Sequence, residues 1–371
     1  MTMLKKTIVL LPGDGVGPEV IRAAAGVLRE CASEFGHQFD LQEFPLGGAA
    51  IDATGQPLPA ATLEACRKAD AVLLGAVGGP KWDARPVGQR PESGLLAIRK
   101  ELGLYVNVRP VRLREALREI SPLKPERLGE LDLEIIRELA GGMYFGVRGN
   151  EQTGGVERAF DTESYSTPEI ERIAVFAYTR AEARSRRLCS VDKANVLTSS
   201  QLWRRTVSGM SHLYPSVQLE HLYVDNAAMQ LVLRPTQFDV ILTSNMFGDI
   251  LSDEAAALVG SIGLLPSGSY GTGAPLFEPI HGSAPQIAGK DMANPIGTIL
   301  SVTMMLRDTF GLGIEADWIE RSLDRVLSAG FRTGDIAEPG SRVVGTTAFS
   351  EHLRQEMQLT LGHAERYGWG V

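Results

Sequence analysis

The stretch NMFGDILSDEAA, residues 245–256, places Asp249 and Asp253 four positions apart, with Glu254 beside the second. On a helix that spacing sets both carboxylates on one face, where they repel each other unless a positive charge lies between them. The pair alone supports two readings. Asp249 can cap a helix while Asp253 sits solvated in its first turn, where the helix dipole favours acids. Equally, the two offer hard oxygen ligands to a divalent cation.

Other candidate side chains are spread along the chain. Arg99 follows Glu92 by seven residues, so both fall near one helix face two turns apart, with Leu95 and Leu96 between them. Arg109 precedes Pro110 at the end of an apolar run, and Arg137 follows the apolar Ile135 and Ile136. Arginine grips carboxylates through paired N–H bonds, so three at strand and helix ends suit a dicarboxylic acid, although each alone is equally an ordinary surface residue. Tyr144 lies in GGMYFG, and Lys193 stands in SVDKANV directly after an apolar strand. There Lys193 can act as a base on a bound substrate, pair with Asp192, or extend to water. No Ser-His-Asp or Cys-His pattern supports nucleophilic hydrolysis.

Two glycine-rich segments invite a cofactor. In GDGVGPE, Gly13, Gly15 and Gly17 give GxGxG, whereas the Rossmann fingerprint needs GxGxxG to set a helix N-terminus against a pyrophosphate. It reads as a tight turn. FEPIHGSAPQIAGKDMANP, residues 277–295, combines Glu278, His281, small residues and prolines, either as backbone amides wrapped around a cofactor or as a punctuated loop.

These residues must be carried by a sizeable scaffold. At 371 residues two domains are the natural expectation, and 44% hydrophobic with 22% charged residues is ordinary for a soluble globular protein. A net charge of −8 argues against a nucleic-acid binder, whose footprint is basic. Cys31, Cys66 and Cys189 show no metal-ligand spacing and suit reduced thiols in a cytoplasmic protein. The opening MTMLKKTIVLLPGDG has too short an apolar run for a signal peptide and breaks at Pro12-Gly13, which favours a first buried strand; no segment has a membrane-spanning length.

Short apolar runs alternate with helical patterns, which indicates an α/β architecture. TIVLLPGDG, ADAVLLGAVGGP, YVNVRPVRL, LDLEIIREL, CSVDKANVL and FDVILTSN read as strands; PEVIRAAAGVLRECASEFG, RPESGLLAIRKELGL and AVFAYTRAEARSRRL read as helices. The polar stretch from Gly149 to Thr167 fits neither period and reads as a β-arm or a flexible loop.

Together, LLPGDGVGPEV, GAVGGPKWD, RPESGLLAIRKELGLYVNVRP, RELAGGMYFG, SVDKANVL, YVDNAAMQL, FGDILSDEA and EPIHGSAPQIAGKDMANP resemble, in order and with compatible spacing, the β-decarboxylating hydroxyacid dehydrogenases of the isocitrate/isopropylmalate family. The resemblance runs to about Thr347. It implies a fold distinct from the Rossmann type, in which two domains share a continuous mixed sheet with the active cleft between them. Residues 1–104 and 260–371 would bind the cofactor. Residues 105–259 would carry the arm, the metal and catalytic residues, and the interface of a homodimer with shared active sites.

The same resemblance implies roles. Asp249 and Asp253 correspond to Mg²⁺ or Mn²⁺ ligands, with Asp225 and Lys193 supplied by a second copy of the chain. Arg99, Arg109 and Arg137 would hold substrate carboxylates. Lys193, assisted by Asp225, would take the hydroxyl proton, and Tyr144 would protonate the enolate left by CO₂ loss. Val16, Glu278, His281, Gly282, Ser283, Ala284, Gln286 and Asn294 would contact NAD, and Glu92 would sit between pocket and nicotinamide ribose. Isocitrate-specific members carry Asn at the Leu95 position; Leu95 and Leu96, with Val196 of the second copy, suit an isopropyl group instead. The implied reaction is oxidative decarboxylation of 3-isopropylmalate to 4-methyl-2-oxopentanoate in leucine biosynthesis. A dehydrogenase of tartrate, malate or another alkylmalate, or a silent metabolite binder on this fold, are the alternatives.

Three features depart from the family pattern. Gln286 stands where an aspartate usually grips the adenosine ribose, and an amide lacks the charge that repels a 2′-phosphate. Ser244 replaces a more usual glycine, and FGVRGN is one residue short. The tail LGHAERYGWGV matches nothing.

Overall fold

The computed structural model describes residues 3–367, with side chains as far as Thr360; the tail LGHAERYGWGV therefore lies outside the described side chains. Its strands are β1 (Lys5–Gly13), β2 (Gln38–Glu43), β3 (Ala71–Ala76), β4 (Leu104–Arg112), β5 (Asp132–Glu138), β6 (Arg148–Thr153), β7 (Val156–Asp161), β8 (Arg187–Asp192), β9 (Gln218–Tyr223), β10 (Val240–Thr243), β11 (Pro266–Gly271), β12 (Leu276–Pro279) and a short pair, β13 (Phe331–Arg332) with β14 (Arg342–Val343). The chain divides into two compact units. Unit 1 comprises Met1–Gly103, Arg114–Ser121 and Val259–Val371, and unit 2 comprises Leu104–Leu113 and Pro122–Leu258.

Unit 1 orders its strands β2-β1-β3-β12-β11. β1 runs parallel to both β2 and β3, whereas β11 and β12 form an antiparallel pair. Every residue of β3 is buried, as its unbroken apolar run requires of a strand covered on both faces. Helix Gly17–Phe35 starts with proline in its first turn and ends at Gly36, whose φ of 70° the missing Cβ permits. It buries Val20, Ala24, Val27, Leu28 and Cys31 along one face. Each of the three thiols is buried, which pushes its pKa up to about 12 and leaves it inert.

Unit 2 orders its strands β4-β5-β10-β8-β9, with β4 antiparallel to β5 and the rest parallel. Helix Thr167–Ala183 opens with a capping box between Ser166 and Glu169, which starts it ahead of the AVFAYTR pattern. It stops before SRRL because Arg186 turns to φ 62° and Arg187 already belongs to β8. The expected strand CSVDKANVL likewise ends at Asp192, and FDVILTSN contracts to four residues. The polar stretch is a hairpin, β6 against β7, closed by Gly154 and Gly155. Their φ values of 61° and 82° are the two left-handed positions that a tight hairpin turn needs.

Candidate active site

Asn245–Leu258 is a helix, so Asp249 lies one turn inside it and Asp253 a turn further on. The helix-cap reading of Asp249 is therefore excluded. Asn245 opens the helix, and its Oδ1 accepts from Arg137 Nε at 3.1 Å and Nη2 at 2.8 Å. Its Nδ2 donates to the Gly141 carbonyl at 3.1 Å, and its backbone N–H donates to the Tyr165 hydroxyl at 2.9 Å. Held in this way, Arg137 presents Nη1 to Asp249. Gly248 makes the approach possible: a Cβ there would stand 2.6 Å from Arg137 Cγ.

The sheet supplies the second arginine. Asn107 on β4 stands opposite Arg137 on β5, and Arg109, two residues along β4, shares that face. Arg109 donates to Asn107 Oδ1 at 2.7 Å and to Ser252 Oγ at 2.6 Å, and lies 3.3 Å from Asp249 and 3.8 Å from Asp253. Tyr144 donates its hydroxyl to Asp249 Oδ2 at 2.9 Å, with the Arg137 guanidinium 5.7 Å from its ring centre. Burial, then the Asp249 charge, raises the phenol pKa, so Tyr144 keeps its proton at neutral pH. Burial also raises Asp253, with Asp249 adding to the effect and Arg109 opposing it.

Lys193 is the first residue after β8, and Asp225 sits in the first turn of helix Val224–Leu233 after β9. Lys193 Nζ donates to Asp225 Oδ1 at 2.7 Å, and this bond is the main cause of the lowered Asp225 pKa. Asp192 is not its partner, because that carboxylate is taken by Arg204 and the Ala194 amide. Among the described residues no three His, Cys, Asp or Glu side chains gather as a metal set, so within one chain Asp225 does not join Asp249 and Asp253. Val196, in the turn after Lys193, is exposed.

Unit 1 brings its two glycine segments together. The Val16 amide donates to the Ser283 carbonyl at 2.8 Å, and a Cβ on Gly15, at φ 58°, would stand 1.9 Å from the same oxygen. Val16 itself is buried against Val20, Ala293 and Ala284. Glu278, on β12, pairs with Arg99 at 2.6 Å, while Arg99 Nε is buried without a partner. His281 Nδ1 donates to the Gly282 carbonyl at 2.9 Å, which leaves Nε2 as a buried acceptor with no donor, and burial lowers the imidazole pKa. Ser283 is buried, Ala284 is held at φ 40°, and Gly282 and Gln286 are exposed. Asn294 is used within the fold: it donates to Asp335 at 3.0 Å and accepts the Ile296 amide that opens the next helix. On helix Pro91–Glu101, Glu92 is exposed and Leu95 and Leu96 are half-buried.

A family model described as isocitrate/isopropylmalate dehydrogenase matches residues 7–353. The chain belongs to that family. A relative from Nitratidesulfovibrio vulgaris described as 3-isopropylmalate dehydrogenase is 56% identical over 353 residues, covering 94% of this chain and 99% of that one. A Gloeobacter violaceus protein of the same description is 54% identical, covering 93% of this chain and 96% of its own. The crystal structure of isocitrate dehydrogenase from Methylococcus capsulatus is similar at a TM-score of 0.85 and 33% identity, covering 95% of this chain and 99% of that one. The α/β class expected from the sequence is therefore the fold of this isocitrate/isopropylmalate dehydrogenase family member.

Several residues that shape this family member's candidate site escaped the sequence reading. Asn245 and Ser252 lie within NMFGDILS, yet only their placement beneath the arginines distinguishes them from helix fillers. Asp14 reads as a turn residue in GDG. Buried, it accepts the amides of Gly48, Ala49 and Gly78 at 2.7–2.8 Å. Its signal was an acid between two glycines at the end of an apolar strand.

Proposed function

We propose that the chain catalyses the oxidative decarboxylation of 3-isopropylmalate to 4-methyl-2-oxopentanoate with reduction of NAD, a step in leucine biosynthesis. The observation that carries this reading is the convergence of Arg109, Arg137 and Tyr144 on the Asp249–Asp253 helix face. The donor set suits a divalent cation: oxygen ligands alone, one turn apart, with the outer carboxylate raised by burial and by its like-charged neighbour. Asp249 and Asp253 would hold Mg²⁺ or Mn²⁺, and Asp225 of a second copy would complete the protein ligands. The segment 278–286 suits NAD through the exposed Gly282 and Gln286, the buried unpartnered His281 Nε2 and the strained Ala284.

When bound, the ion polarises the substrate's oxygens and the nicotinamide accepts a hydride. Lys193, kept against Asp225, takes the proton of the C2 hydroxyl as hydride leaves C2. Arg109 and Arg137 hold carboxylate, and loss of CO₂ from C3 leaves an enolate that Tyr144 protonates. The half-buried Leu95 and Leu96 offer the isopropyl group apolar contact, contributing about 1–3 kcal/mol of preference.

A homodimer is supported by the apolar side chains that unit 2 leaves exposed, Met229, Val232 and Leu233 on one helix and Ile250 on the next. The test is NADH formation from 3-isopropylmalate with Mg²⁺, beside isocitrate, malate and tartrate. Chelator-sensitive turnover of isopropylmalate is the expected result. Preference for another acid refutes the role of the leucines, and no turnover with any of them leaves a silent binder.

A further inference from the structure

Strands β8 and β9 run parallel, with their last residues, Asp192 and Tyr223, opposite each other. Lys193 follows one strand end, and the helix bearing Asp225 follows the other, so the Lys193–Asp225 contact depends on where these two ends are held. Arg204, on helix Thr198–Met210, binds both of them. Its Nε and Nη2 donate to the two oxygens of Asp192 at 2.8 and 2.9 Å, and its guanidinium lies 4.8 Å from the centre of the Tyr223 ring.

The Asp192 carboxylate is only 1% exposed, and its Oδ1 also accepts the Ala194 amide at 2.9 Å, which fixes the chain on both sides of Lys193. The amides of Val196 and Leu197 then close the turn onto the Lys193 carbonyl. The helix is pinned to the same strand by Trp203, whose indole N–H donates to Ser190 Oγ at 3.3 Å. A further titratable neighbour is His221, with Nδ1 4.0 Å from Asp192 and Nε2 2.9 Å from Ser208 Oγ, while the buried Cys189 thiol also feels the Asp192 charge. Burial and the Arg204 charge lower its pKa, so the neutral ring leaves Asp192 to Arg204.

A buried ion pair is a poor way to gain stability alone, since apolar residues of the same volume serve as well. Its value lies in fixing a geometry. We propose that Arg204 is a positioning residue for the reaction, holding the ends of β8 and β9 so that the Lys193 amine faces Asp225. This rests on the roles given above to Lys193 and Asp225.

The test is steady-state kinetics and thermal unfolding of the full-length protein with Arg204→Gln and Arg204→Lys, beside Lys193→Ala. Misplacing a base by about an ångström costs up to a hundredfold, so Arg204→Gln should lower kcat about tenfold to a hundredfold with KM for substrate and NAD changed less than about threefold. Arg204→Lys keeps the charge without the paired donors and should recover part of the loss. Wild-type kcat per folded molecule in Arg204→Gln overturns the proposal, as does an Arg204→Lys variant no better than Arg204→Gln. If Arg204→Gln does not fold, Arg204→Lys decides on kcat per folded molecule: a fall supports the proposal, and the wild-type value overturns it. Full turnover in Lys193→Ala, or none in the wild type, brings down the reading of Lys193 and this inference with it, a result recognisable without reference to Arg204.

Discussion

Replacing Asn245 with alanine removes one acceptor that serves two N–H groups of Arg137 and one donor to the Gly141 carbonyl. Arg137 is 2% exposed, so no water takes the vacated place at its edge. Hydrogen bonds to a charged group contribute about 1.5–3 kcal/mol and a neutral one about 1 kcal/mol. Because two of the three share one oxygen and Arg137 retains Asp249, these do not add fully, and the expected loss is about 3 kcal/mol. With a urea slope of about 2–3 kcal/mol/M, the unfolding midpoint should fall by roughly 1 M. Turnover should fall at least about tenfold, since a guanidinium held by Asp249 without Asn245 loses its orientation in the site. Asn245→Asp keeps an acceptor in place and should retain most of the stability. If Asn245→Ala unfolds within about 0.5 kcal/mol of the parent, Asn245 does not hold Arg137 as argued.

Gln286→Asp adds a negative charge where the cofactor ribose is proposed to lie, so kcat/KM with NADP should fall more than with NAD; equal falls in parallel assays with both cofactors would place Gln286 away from the ribose. Asp239 is buried, which raises its pKa, but bonds from Ser185 and Arg184 outweigh burial and leave it lowered. A depressed folded pKa contributes stability that is complete above the unfolded value of about 3.9 and lost as pH falls through the folded one. Asp239→Asn should therefore destabilise the protein near neutral pH, with the difference in urea midpoint shrinking below about pH 4; a difference that grows on acidification refutes the assignment.

The legible parts of the fold were those whose signal is strong and local. β1 carries the apolar run Ile8–Leu11 and β3 is one unbroken run, and helix Gly17–Phe35 has a proline at its start and a glycine at its end. β2 and β9 were missed because, as outer strands of their units, they are short, largely polar and exposed, so no continuous apolar run marks them. Boundaries failed where a cap overrode the pattern, as at Ser166 and Arg186.

The candidate site divides in the same way. Asp249 and Asp253 share a face because one helix carries both, and its period of 3.6 is written into the spacing of the residues themselves. Lys193 and Asp225 are 32 residues apart, and nothing in either segment names the other. Their contact follows from parallel pairing of β8 with β9 in a register that sets Asp192 opposite Tyr223, and from an arginine on a third element that binds both strand ends. Parallel strands need a crossover connection, so their register is fixed by packing of the intervening helix and not by a local turn. Chemistry assembled by such a register becomes readable only once the order β5-β10-β8-β9 is known.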